Sequence, residues 1–370
     1  MMIVNFRNLL LSMVFLAGLA SCGGGGGSGT AGSIGSISWQ KVSTPAAATQ
    51  INFVAFNGSN HWFIADRNHG FYRSTDQGAS WTQINSGLAT TLGWTINVNP
   101  SNGDLIASTF SGNALNANPV TFYRSSDEGN SWTAIPYGHL SAATAQTGCV
   151  FANSNIVCGG YWAPSPSTGG WVSTNGGQTT VAAATNSTNS GTVYGLGVNP
   201  VSGDVWMGTE QNGIFRSTDG GMTWTQQSPS STNFDPAHGI RNGNIYGMTF
   251  DRNGNVLFGS QGGVWKSSKS GSGYSWTNVL TNHNSSDGKA LGRDANGILY
   301  YGHNRDNADP TVVHCSADDG AHWSACDSGI PPGLEGHRFI VNPTDRKLYA
   351  VIEDGGTNNG WVYVTVNPVQ

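Results

Sequence analysis

The sequence predicts an all-β, seven-bladed β-propeller, and three observations predict it. A turn motif recurs at nearly even spacing, a second polar turn recurs between its copies, and the two ends of the chain supply complementary parts of one unit. A unit of about 48 residues reading strand, turn, strand, loop, strand, turn, strand is the size of a four-stranded propeller blade. Composition agrees: 53 Gly and 13 Trp among 370 residues, with only 10% charged, suit short strands joined by tight turns. A net charge of −5 excludes the basic footprint that sequence-independent nucleic-acid binding requires.

The N-terminal segment reads as an address. Arg7 precedes an apolar run from Leu9 to Ala20, about a dozen residues and too short for a comfortable membrane span. Leu19-Ala20-Ser21-Cys22 resembles a bacterial lipobox, which makes residues 1–21 a signal peptide and Cys22 the lipidated first residue. Gly23 after the Cys favours the outer membrane. Residues 22–36 form a Gly-rich tether with a reach on the order of 20 Å, and residues 37–370 form one domain. The membrane is met through the lipid alone.

Within the domain, Ser74-Thr75-Asp76-Gln77-Gly78-Ala79-Ser80-Trp81 returns at Ser125, Ser217 and Ser316, with degenerate copies from Ser173 and Ser267. Between copies, Val98-Asn99-Pro100-Ser101-Asn102-Gly103-Asp104 is echoed by Val198-Asn199-Pro200-Val201-Ser202-Gly203-Asp204 and by five looser turns, each flanked by alternating apolar runs, which is a hairpin signal. There are seven such hairpins and six motif copies. Ser38-Trp39-Gln40-Lys41-Val42 resembles the strand after a motif, and Trp361-Val362-Tyr363-Val364 the strand before one. The first strand is therefore expected to complete the last blade, hiding the sheet edges. A six-bladed ring is the alternative.

The motif S-x-D-x-G-x-x-W resembles the Asp-box of the sialidase and BNR-repeat propellers. The resemblance covers nearly the whole exported chain but specifies the scaffold, not an activity. Asp76, Asp127, Asp219 and Asp318 are expected to accept hydrogen bonds from their own turns, with Gly supplying positive φ and Trp packing into the blade. Four further Cys allow three pairings. Cys149 and Cys158 flank one turn and Cys315 and Cys326 another, so each pair is expected to staple one hairpin.

Motif turns and Asn-Pro turns share one face of the ring, so the interblade links and second loops share the other. Counting back from each first-hairpin turn places Asn52, Trp94, Gly148, Tyr194, Tyr246, Lys289 and His337 around the channel mouth. The links add His139, Asp235, His238, Arg241, His283, Asp287, Glu335 and Arg338. The second loops add Asp66, Arg67, His69, Tyr161, Trp162, Glu210, His303, Arg305, Asp306 and Glu353. Six of the nine His fall on this face, the funnel where propellers hold ligands.

Three chemistries suit these residue types. A glycosidase needs two carboxylates across a cleft, for which Asp66, Glu210, Asp306 and Glu335 are candidates. A polysaccharide lyase needs a base and a group to neutralise a uronate, which His337, His303, Tyr246 and Arg338 can supply. Trp94, Trp162, Tyr194 and Tyr246 can stack on sugars, with Lys289 and Arg338 as polar binders. No HxH or HExxH pair occurs, so no metal and no cofactor are expected. Among Asp-box propellers, sialidases carry an R-I-P segment that this chain lacks. Xyloglucan-cleaving enzymes carry a catalytic Asp before a Tyr-Arg pair. Asp66 lies one residue out of register with Tyr72-Arg73 for that role. The expected function is an exported lipoprotein whose funnel binds an extracellular polysaccharide and cleaves it by hydrolysis or elimination. The alternative is a non-enzymatic propeller that binds carbohydrate or protein.

Overall fold

The structure, a computed structural model, describes residues 37–110, 120–136, 148–159, 170–185, 193–209, 213–227, 245–260, 263–271, 273–281, 290–303, 309–357 and 359–366. These residues contain strands and turns and no helix. They form seven sheets, each an antiparallel meander of four strands, arranged as a seven-bladed β-propeller. The inner strands are Ile51–Phe56, Gly93–Val98, Cys149–Ala152, Val193–Val198, Ile245–Phe250, Ala290–Arg293 and Glu335–Val341. The fourth blade gains a short extra strand, Ala184–Thr185, parallel to its outer strand Thr223–Gln226.

Closure follows the sequence. Trp39–Lys41 pairs antiparallel with Asn359–Thr365, so the first strand is the outer strand of the seventh blade. The six-bladed alternative is thereby excluded. Apolar side chains interlock between neighbouring blades: Phe71 and Ile84 of the first blade pack with Ile96, Tyr123 and Trp132 of the second. Each buried side chain of this size contributes roughly 1.5–3 kcal/mol. Neighbouring blades also approach closely by backbone. A Cβ on Gly302 would fall 2.8 Å from the Cα of Gly336, so the sixth and seventh blades require glycine there.

The motif turns are stapled by their own side chains. The Ser80 N–H and hydroxyl donate to the two Asp76 carboxylate oxygens (2.8 and 2.5 Å), and the Ser74 hydroxyl donates to Asp76 at 2.8 Å while accepting from the Gly78 N–H. The same pattern returns around Asp127, Asp219 and Asp318, and with an amide around Asn175. The Ser80 hydroxyl and N–H, with the Ser74 hydroxyl, hold the Asp76 carboxyl down at about 2. The Asp127 carboxyl is lowered by the equivalent Ser131 and Ser125 hydroxyls. Gly78, Gly129, Gly177, Gly221 and Gly320 take φ between 85° and 93°, as this turn demands. The copy at Ser267 differs: Gly263–Ser270 and Gly273–Leu280 form a long hairpin, and the Ser267 hydroxyl accepts from the Val256 N–H across the sheet. With Lys269 where the Asp would stand, nothing there closes the staple. Both expected disulfides are present, Cys149–Cys158 and Cys315–Cys326, with Cα separations of 4.1 and 5.9 Å.

Candidate functional site

A repeated irregularity marks the starts of the inner strands, where the sequence places the channel mouth. In five blades the inner strand slips by one residue against its neighbour near its start: between Ile51 and Phe53, Gly93 and Thr95, Val193 and Gly195, Ile245 and Gly247, and Gly336 and Arg338. The residue left over is Asn52, Trp94, Tyr194, Tyr246 or His337. A bulge frees one side chain from the pleat and re-aims it. All five are half-buried while their strand neighbours Ile51, Gly93, Val193, Ile245 and Gly336 are buried. The blades thus present, at equivalent places, an amide, an indole, two phenols and an imidazole. The third blade pairs Cys149 directly with Cys158, and Gly148 before it takes φ 78°; the sixth pairs Ala290 with Gly302 without a slip.

These side chains meet across blade boundaries. The Tyr194 and Tyr246 rings lie 4.9 Å apart. Asn52 Nδ2 donates to the Gly93 carbonyl at 3.5 Å. The Arg67 guanidinium sits 5.7 Å from the Trp94 ring and 5.8 Å from Phe110, a cation–π placement.

His337 is the most chemically loaded position. Its Nε2 lies 3.3 Å from Glu335 Oε2 and its Nδ1 lies 3.1 Å from Glu353 Oε2. Strand pairing sets this up, because Glu335 stands opposite Glu353 and the bulge inserts His337 beside them. All three side chains are at most 18% exposed. A Cβ on Gly355 would fall 2.1 Å from Glu335 Oε1, so Gly355 leaves room for that carboxylate. Arg338 lies over the Phe53 ring at 4.0 Å. Burial pushes its guanidinium down to about 10, against the pull of Glu353, and it stays charged at neutral pH. An imidazole with a carboxylate at each nitrogen is oriented and can exchange a proton at either end.

Other expected residues are placed differently. Asp66 is fully buried, and its carboxylate accepts from the N–H groups of Gln50, Asn68 and His69 and contacts His69 Nδ1 at 2.8 Å. It holds the loop that carries Arg67 and is closed to substrate. His303 is 2% exposed, at the base of the sixth-blade loop. There it comes together with Asp309 and His314, a group that His-pair spacing did not reveal because its members come from a strand end, a loop and the next strand. Glu210, Asp306, Trp162 and Lys289 lie outside the described residues, as does Cys22.

No protein-family model matches the chain, and no curated protein does. Solved structures do match. Selenomethionine-substituted virginiamycin B lyase from Staphylococcus aureus has TM-score 0.62 at 13% identity over 90% of this chain and 100% of that one. YCF48 from Cyanidioschyzon merolae has TM-score 0.60 at 13% identity over 89% and 98%. The GH74 xyloglucanase from Xanthomonas campestris has TM-score 0.58 at 15% identity over 85% of this chain but 53% of its own. At these identities the likeness is one of fold: the chain is a β-propeller, with neighbours that include a lyase, a glycoside hydrolase and YCF48.

Proposed function

We propose that this protein is an exported, lipid-anchored propeller whose funnel binds an extracellular polysaccharide and cleaves it by elimination at uronate units. The observation that carries this reading is His337 held between Glu335 and Glu353, on a rim that also bears Trp94, Tyr194 and Tyr246. In such a step the substrate takes the place of Glu335 at Nε2, the longer of the two contacts, and that nitrogen takes the proton at C5 of a uronate. The electron pair forms the C4–C5 double bond, the C4–O bond breaks, and the departing oxygen takes a proton from water in the funnel. Glu353, at Nδ1, orients the ring and stabilises the imidazolium. Arg67, on the neighbouring blade, offers the cation for the uronate carboxylate, because Arg338 is packed into the protein. Hydrolysis has less support among the described residues: Glu335 and Glu353 both address one imidazole instead of flanking a cleft, and Asp66 is sealed.

A binding-only propeller is the second reading, favoured by the likeness to YCF48 bound to D1 peptide, with TM-score 0.61 and 14% identity. The test is turnover of a panel of neutral, uronate-rich and sialylated polysaccharides by the domain from residue 37. New reducing ends together with the ultraviolet absorbance of an unsaturated uronate are expected. Reducing ends alone would replace elimination with hydrolysis. Binding without either signal would establish the second reading.

A further inference from the structure

The sixth blade carries a second cluster, apart from the His337 group. His303 follows the strand Leu299–Gly302, His314 lies on the next strand, Val313–Ser316, and Asp309 lies in the loop between them. We propose that His303, Asp309 and His314 form a binding site for a divalent transition metal of the zinc class.

The donor set comes first. Two imidazoles and one carboxylate select zinc and its neighbours over magnesium or calcium, which prefer all-oxygen shells. Geometry comes second. One ligand atom from each residue lies within 4.8 Å of the others. One edge is already short, His314 Nε2 to Asp309 Oδ2 at 3.2 Å. A tetrahedral site with bonds of about 2.1 Å has edges of roughly 3.4 Å, so small side-chain rotations close the remaining edges.

The surroundings fix the ligands. His303 and His314 are 2% and 8% exposed. Their rings lie 5.7 Å apart, and the buried Tyr301 ring lies 5.7 Å from His303 and 6.3 Å from His314. The Thr311 N–H donates to Asp309 Oδ1 at 2.9 Å, which sets the carboxylate with Oδ2 toward His314. The disulfide Cys315–Cys326 begins at the residue after His314, so that strand is anchored. Metal binding would tie the loop to the blade. It would also stiffen the path to the funnel, because the Gly336 N–H donates to the His303 carbonyl at 3.3 Å, between Glu335 and His337 in the chain.

The test is metal binding by the chelator-stripped domain, read by titration with zinc, by the visible spectrum with cobalt(II) and by electron paramagnetic resonance with copper(II). One equivalent of zinc is expected, with a low-coordinate cobalt spectrum and two imidazole nitrogens on copper. His303→Ala and His314→Ala should abolish it, and Asp309→Asn should weaken it on the order of 100-fold. His337→Ala should leave it unchanged. The wild-type spectra decide the matter even where a His variant fails to fold. Absence of stoichiometric binding, a copper site with fewer than two imidazoles, or binding lost in His337→Ala but kept in His314→Ala would overturn the proposal.

Discussion

The two faces of the ring are built by opposite rules. On the motif face, the same residues recur in the same places and are consumed by their own turns: Asp76, Asp127, Asp219 and Asp318 each accept from the residue four positions on. On the funnel face, the place recurs but the residue does not. The bulge sets Asn52, Trp94, Tyr194, Tyr246 and His337 at equivalent positions in five blades. A repeated residue serves the scaffold, whereas a varied residue at a repeated place is free to serve a ligand.

The largest expected effect lies on the funnel face. His337→Ala should lower turnover by roughly 10²–10⁴-fold, the usual worth of a general base, with the melting temperature held. Glu353→Gln should reduce turnover less, since the amide oxygen can still accept from Nδ1. On the opposite face, Gly129→Ala should leave turnover of the surviving folded protein intact while costing stability. Its Cβ would need φ 85° and would meet Ile84 Cδ1 at 2.4 Å; a loss of about 1–3 kcal/mol is expected by denaturant unfolding. Reducing Cys149–Cys158, which closes a short hairpin of sequence separation 9, should cost about 2–3 kcal/mol, read as a lower melting temperature in reductant.

A smaller effect concerns acid. The Asp76 and Asp127 carboxyls are lowered in the folded protein. Their stabilisation is therefore present above the ordinary Asp value near 4 and is lost as pH falls below it, for Asp76 toward about 2. Melting temperature should drop across that window. Asp76→Asn should flatten part of the drop, since Asn175 already serves the third blade in the same turn.

Much of the scaffold was legible because it repeats. Ser, Asp and Gly at fixed offsets announce the stapled turn, and Trp39 matches Trp81 closely enough to reveal the ring closure. The bulge positions were legible in five of seven blades, because Val98-Asn99 anchors a count that lands on Asn52, Trp94, Tyr194, Tyr246 and His337; Gly148 precedes a strand that pairs without a slip, and Lys289 lies outside the described residues. What escaped depends on partners distant from the motif or on backbone groups. The sealing of Asp66 is the work of three backbone N–H groups. The pairing of Glu335 with Glu353, and the meeting of His303, Asp309 and His314, require strand register. The hairpin at Ser267 shows the reverse error, a motif echo that lost its Asp and with it the turn.

The most direct measurement sets the faces against each other. Alanine variants of Asn52, Trp94, Tyr194, Tyr246 and His337 would be compared with alanine variants of Asp76, Asp127, Asp219 and Asp318. Each would be scored for polysaccharide binding and for melting temperature. The first group is expected to lose binding while melting as wild type does, and the second to melt earlier while binding normally once folded. Binding lost equally in both groups, or melting lowered across the first, would contradict this expectation.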